Sequence, residues 1–252
     1  RRIWATKLKT KYKAKTDRSC WLRTHAQTSG ATLTKQQPEN NVVRVSLQAL
    51  AATLGGVQSL HTNAMDEAIS LPSENSAQLA LRTQQIIAHE TGISDAVDPL
   101  GGSYHLEQLT NQIEKQCYDY FKIIEANGGV RSSINNGFFV REIADSARKY
   151  QKDIEGNNIT KIGVNKFVQN EEVHKEEFIT NSKHQELHMK RLTHTRSIRD
   201  NNKINNLLSD LRTTSKTNQN LMPLMIELVK SYATVGEITS TLKDAWGEYQ
   251  GE

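Results

Sequence analysis

Polar and apolar positions repeat with two different periods along the chain, and each change of period marks an element. Arg1-Arg2-Ile3-Trp4-Ala5 already runs with the spacing of an amphipathic helix. The stretch 19–28 reads instead as a strand, with Thr24, Ala26 and Thr28 alternating with Arg23, His25 and Gln27. Neither face is oily, whereas central parallel strands are ordinarily rich in Val, Ile and Leu. A polar strand flanked by helices predicts a sheet that lines a site. Pro38-Glu39 opens a helix with an apolar stripe at Val42, Val45, Leu47, Leu50 and Leu54, and Gly55-Gly56 supplies its stop. A second strand follows over 57–62. The polar turn Asn63-Ala64-Met65-Asp66-Glu67 then leads to a helix over about 74–91, closed by Gly92. Strand, helix, strand, helix is the order of βαβ units, which build a parallel sheet with a right-handed crossover.

Beyond this point the pattern turns helical. Asp98-Pro99-Leu100-Gly101-Gly102 is a turn cluster, and a helix starting near Tyr104 ends at Asn127-Gly128-Gly129. Gly137 separates a short helix from the next, over about 140–155. One short strand or extended segment is expected over 159–165. Past about Asn170 the chain is polar and rich in Lys, His, Asn and Thr, which predicts a helical surface connector with few core residues. Its last helix, over about 235–249, is the better patterned one.

Composition narrows the class. Hydrophobic residues make up 36% of the 252 residues and aromatics 6%, with a mean hydropathy of −0.63, so the core is lean. No run approaches the roughly 20 apolar residues of a bilayer crossing, and no signal-peptide core follows the start. A cytoplasmic protein without membrane contact is expected. Cys20 and Cys117 are far apart and form no CxxC, which indicates neither a disulfide framework nor a zinc site. Both read as buried apolar thiols. Because Arg1 falls inside a running pattern, the chain reads as a piece of something longer.

The candidate chemistry lies in the loops after the strands, where (β/α) barrels place their active sites. His25-Ala26-Gln27-Thr28-Ser29-Gly30 and His61-Thr62-Asn63-Ala64-Met65-Asp66-Glu67 each combine a histidine, a carboxamide and a hydroxyl, and the second adds carboxylates. The same residue types serve as helix caps and as acid/base groups or metal ligands. Ligand spacing does not suit a compact zinc site, and no metal is expected. His184, His188 and His194 include one i,i+4 pair, but their Lys, Gln and Arg neighbours read as a solvated helix face. The net charge is +4, and residues 1–18 hold Arg1, Arg2, Lys7, Lys9, Lys11, Lys13, Lys15 and Arg18 against the single acid Asp17. That stretch is a solvated helix with snorkelling lysines or a basic binding module for phosphate-bearing partners. No aromatic RNA-binding signature accompanies it, and no nucleic-acid partner is expected.

The loop residues lie in longer strings that resemble one family. These are Arg1 to Ala5, Leu22 to Gly30, Gln36-Gln37-Pro38-Glu39-Asn40-Asn41-Val42-Val43-Arg44, Gly55 to Asn63 and Asp66-Glu67-Ala68. Val97 to Tyr104, Ile162-Gly163-Val164-Asn165-Lys166 and Val235-Gly236-Glu237-Ile238 continue in the same order. The chain resembles the large, substrate-binding subunit of the coenzyme-B12-dependent acyl-CoA mutases, and within these the methylmalonyl-CoA mutase family. The resemblance implies an α/β fold: the C-terminal part of a (β/α)8 TIM barrel followed by a mostly helical connector. The last strands and helices of the acyl-CoA-binding barrel would fill 1–98, packing helices 99–170, and a linker toward a B12-binding domain or subunit 171–252.

The family resemblance also implies roles. His25 matches a histidine at the substrate end of the barrel, and Gln58 a glutamine that contacts the CoA moiety. Gln27, Asn63 and Glu67 match positions that hold the ribose of the adenosyl group. Gly30, Glu67, Ala68 and Gln151 match positions that meet the cobalamin. The implied cofactor is adenosylcobalamin, and the implied reaction is a radical carbon-skeleton rearrangement of an acyl-CoA. Methylmalonyl-CoA and succinyl-CoA are the first expectation, with isobutyryl-CoA or 2-hydroxyisobutyryl-CoA as alternatives. No Asp-x-His-x-x-Gly string is present to supply the lower axial histidine. A separate small cobalamin-binding subunit, a hetero-oligomer and an inactive isolated chain are therefore expected. Leu100 stands where family members have an aromatic, and Phe138-Phe139 where they have a small residue and proline.

Overall fold

The computed structural model describes residues 1–170 and 182–248. They are mostly helical and contain one two-stranded parallel sheet. The chain divides into two units, Arg1–Phe178 and Ile179–Glu252.

In the first unit, α1 (Arg2–Thr10) precedes β1 (His25–Gln27), α2 (Asn40–Leu54), β2 (Ser59–His61) and α3 (Glu74–Glu90). Parallel strands need a crossover of a dozen or more residues, and α2 with its flanking loops supplies it. The register is His25 opposite Ser59, Ala26 opposite Leu60 and Gln27 opposite His61. Further ladder bonds, Gln58 N to Thr24 O and Thr28 N to His61 O (both 3.1 Å), extend the pairing past each end. β1 is much shorter than the ten-residue strand expected. Asp17–Cys20 winds into a 3-10 turn, where Thr16 and Ser19 hydroxyls meet at 3.0 Å and Trp4 Nε1 donates to Ser19 O.

α2 also departs from its expected stripe. Asn41, Val45 and Ala49 are the buried residues, whereas Leu47 is 63% exposed. α3 begins at Ser73, whose side chain accepts from Ser76 N. It is followed by α4 (Tyr104–Ala126), α5 (Gly129–Asn135) and α6 (Phe138–Glu155). Gly137 turns the chain between α5 and α6 at φ +70, a conformation that costs glycine least. The segment expected as a short strand or extended stretch over 159–165 is not a strand and carries one isolated bridge, Ile162 to Lys166. Asn165 staples it, accepting from Lys161 N and donating to Ile154 O and Ile159 O.

The basic N-terminal stretch docks on α4. Arg2 pairs with Glu114, Lys11 pairs with Glu125, and Lys7 lies 4.3 Å from the centre of the Phe121 ring. Neither cysteine is fully buried; both are half-buried and free.

The second unit holds α7 (Ser182–Ile198), α8 (Asn201–Thr214), α9 (Met222–Lys230) and α10 (Val235–Trp246). Contrary to a connector with few core residues, Ile204, Leu211, Leu228 and Ile238 form a closed cluster that joins α8, α9 and α10. No described helix is long and apolar enough to cross a membrane.

Candidate functional site

The two strands end side by side, so the loops after them converge. Ala26 and Leu60 are half-buried, while His25, Gln27, Ser59 and His61 all stand exposed on the other face. This is the polar lining that the alternation predicts. Gln58 ties the strand entries together: its Oε1 accepts from Thr24 N at 2.6 Å, and its Nε2 donates to Gly56 O at 3.2 Å. One residue further along, His25 Nδ1 lies 2.7 Å from Ser59 Oγ.

At the other end of the strands the polar groups gather. Gln27 Nε2 donates to Asn63 Oδ1 at 2.8 Å, which leaves Gln27 Oε1 to accept from a ligand. Asn63 is 2% exposed, and its Nδ2 has no acceptor among the described residues. An unmet buried donor costs about 1–3 kcal/mol, and such a group in a native fold calls for a partner. Gly30 faces this corner. A Cβ built there would stand 3.2 Å from Asn63 Nδ2 and 3.6 Å from Glu67 Cγ, so the missing side chain lets the backbone pack close against both residues. Glu67 is exposed; its backbone N–H donates to Ala64 O, but its carboxylate makes no ion pair or hydrogen bond among the described residues, and Ala68 is exposed beside it. A free carboxylate, a carboxamide oxygen and an unmet amide donor suit a vicinal diol such as a ribose, which carboxylates commonly hold through its hydroxyls.

A family profile described as Methylmalonyl-CoA mutase matches residues 1–248. The chain belongs to the methylmalonyl-CoA mutase family. The 2-hydroxyisobutanoyl-CoA mutase large subunit of Aquincola tertiaricarbonis is 46% identical, covering 99% of this chain and 45% of that protein. The methylmalonyl-CoA mutase of Rhizobium meliloti is 39% identical, over 99% of this chain and 35% of its own length. For the mitochondrial methylmalonyl-CoA mutase of Mus musculus the figures are 36%, 99% and 34%. The chain therefore spans between about a third and a half of the length of these relatives.

Within this mutase-family chain, the loops are held by residues that the sequence reading did not single out as functional. Asn41 is fully buried; its Oδ1 accepts from Thr34 N (3.1 Å), and its Nδ2 donates to Thr34 O and Met65 O (both 2.8 Å). One side chain thus joins the loop after β1 to the loop after β2. Arg44 adds bonds to Thr34 Oγ1, Asn41 Oδ1 and Ile162 O. Thr28 Oγ1 accepts from Asn63 N (2.9 Å), which fixes the backbone of the Asn63 corner. Asp66 accepts from Ser73 N and Ser76 Oγ, anchoring the second loop to the start of α3. The available signal was Asn41 itself, a polar residue four before Val45 on the buried stripe.

Gln151 is not brought into the cluster by any side-chain bond. It is exposed on α6, and its Nε2 donates to Glu155 at 2.7 Å. Its neighbour Tyr150 lines an open cavity of about 700 Å³ with Ala31 and Thr32 of the loop after β1, and with Tyr120 and Glu142. Tyr120 donates to Glu142 at 3.1 Å; its partial burial, then the adjacent carboxylate, raise the phenol above its ordinary range. His184, His188 and His194 are exposed on α7, and among the described residues no three His, Cys, Asp or Glu side chains could share a metal.

Proposed function

We propose that this chain is part of an adenosylcobalamin-dependent acyl-CoA mutase, an intramolecular transferase. The observation that carries the reading is the corner of Gln27, Gly30, Asn63 and Glu67. Its unmet amide donor and free carboxylate, packed against the side-chain-free Gly30, suit the adenosyl ribose. In this reading β1 and β2 are late strands of a (β/α)8 barrel, and their polar face lines its interior. Residues 1–98 belong to the barrel, 99–170 pack beside it, and 171–252 lead toward the cobalamin-binding part.

Bound adenosylcobalamin would supply the radical chemistry of the rearrangement. The chain's own residues bind and orient. Gln27 and Glu67 accept from the ribose hydroxyls, and Asn63, pinned by Gln27 and Thr28, donates to one of them. Gly30 admits the flat corrin close to the backbone, with Ala68 and Gln151 at its margin. His25, held by Ser59, meets the acyl group, and Gln58 meets the CoA tail. Holding both ligands in register is a large part of such catalysis, because a misplacement of about 1 Å can cost roughly a hundredfold in rate.

Methylmalonyl-CoA and succinyl-CoA are the proposed substrate pair. A second reading, 2-hydroxyisobutanoyl-CoA, is favoured by 46% identity to that mutase's large subunit against 39% to the Rhizobium meliloti enzyme. The words "large subunit" in that relative's name support a separate smaller subunit; in this reading that partner binds cobalamin and the hetero-oligomer is cytoplasmic. The test is turnover of each acyl-CoA by the full-length protein with its cobalamin-binding partner. Gln27→Ala and Glu67→Ala should each lower turnover about a hundredfold or more; Glu67→Ala should leave the unfolding midpoint in place, whereas Gln27→Ala should lower it slightly by orphaning Asn63 Oδ1. Wild-type rates in both variants would overturn the reading.

A further inference from the structure

The open face of the sheet is an ordered row. Along the strands it presents the His25–Ser59 pair and then Gln27 opposite His61; Gln58 precedes them at the strand entries, and the buried Asn63 follows at the strand ends. At about 3.3 Å per residue the row from Ser59 to Asn63 is roughly 13 Å long, with His61 at its midpoint. His61 is exposed, and its imidazole has no hydrogen-bond, ion-pair or ring partner among the described residues. Its neighbours are engaged: His25 with Ser59, Gln27 with Asn63, and Gln58 with both strand entries. The backbone beneath His61 is fixed, because its carbonyl accepts from Thr28 N.

We propose that His61 is a further substrate-contacting residue, donating a ring N–H to the acyl thioester where that group meets the adenosyl ribose. This rests on the mutase reading, which sets the CoA tail at the Gln58 end and the ribose at the Asn63 end. The midpoint is then where the two ligands face each other. A neutral imidazole has one donor and one acceptor nitrogen, and His61 lends neither to any described residue. The same side chain on a merely solvated face would leave binding and turnover unchanged when removed.

The experiment uses the full-length protein with its cobalamin-binding partner and compares wild type, His61→Ala and His61→Gln. Three quantities are read: steady-state kinetics, the dissociation constant of an unreactive thioether analogue of the acyl-CoA, and that of adenosylcobalamin from its visible spectrum. His61→Ala should weaken the thioether analogue about tenfold and lower kcat about a hundredfold, with adenosylcobalamin binding and the unfolding midpoint as in wild type. His61→Gln, which keeps a donor, should recover about a tenth of the wild-type rate. Wild-type kinetics in His61→Ala would overturn the inference while leaving the mutase reading intact. So would weaker adenosylcobalamin binding with an unchanged acyl-CoA constant, since that places His61 at the cofactor. A wild-type protein inactive on every acyl-CoA offered would overturn both.

Discussion

Asn41 occupies a helix position that packing would ordinarily give to an aliphatic side chain, yet it is fully buried among polar groups of the two site loops. Its replacement by leucine would leave Thr34 N, Thr34 O and Met65 O without their partner. At about 1–3 kcal/mol for each buried group that water cannot reach, Asn41→Leu should cost at least about 2 kcal/mol. Denaturant unfolding would report the loss, and hydrogen exchange should speed up at Thr34 N. Gly30 supports a sharper test. Valine there would push branches toward Asn63 Nδ2, already 3.2 Å from a single Cβ, and toward Glu67. Gly30→Val in the full-length protein should abolish the spectral change of adenosylcobalamin binding while far-UV circular dichroism stays unchanged. The candidate loops were legible from residue types alone, but Asn41 was not. A lone polar residue on an apolar stripe shows its purpose only once both loops lie against it.

Helix boundaries were legible wherever local chemistry sets them. α3 starts at its Ser73 cap and stops before Gly92, and α6 starts after Gly137, because caps and left-handed glycines act within a turn of themselves. The strand expected over 19–28 shortened to His25–Gln27, with Asp17–Cys20 wound into a 3-10 turn. In the second unit, α10 opens with a capping box of Thr234 and Glu237. Arg199 joins it, reaching both oxygens of Glu237 (2.8 and 2.5 Å) and Tyr232 O (2.9 Å). The Arg199 guanidinium, opposed in part by burial and helped by Thr234, holds the Glu237 carboxyl at about 2 instead of its ordinary 4.5. A depressed carboxyl stabilises the fold fully above its unfolded value, and the gain is lost as pH falls through 4.5 toward 2. With Glu237 23% exposed, solvent screening trims the gain to about 2 kcal/mol. Thermal unfolding followed at pH 6 and pH 3 should show Glu237→Gln less stable than wild type at pH 6. The gap should narrow at pH 3.

At the scale of the whole molecule, the two units rest on different interiors. The first buries Val45, Ala49, Ala64 and Ile87 together with polar residues such as Asn41, Thr62, Asn63 and Ser76; the second closes on Ile204, Leu211, Leu228 and Ile238. Leu211→Ala should cost about 2–5 kcal/mol, as for other fully buried leucines. The loss should appear as faster hydrogen exchange across α8, α9 and α10. By itself the sequence determined the helices with strong caps, the alternation that makes β1 and β2 polar on their exposed face, and the family. Each of these follows from neighbours along the chain or from ordered strings. Tertiary structure alone decided that Leu47 faces outward, that the helices after 200 enclose a core, and that Asn63 keeps an unmet donor beside Gly30. It also set His61 midway along an open row. These depend on which surfaces meet across tens of residues of separation, and burial and hydrogen-bond satisfaction are properties of that meeting.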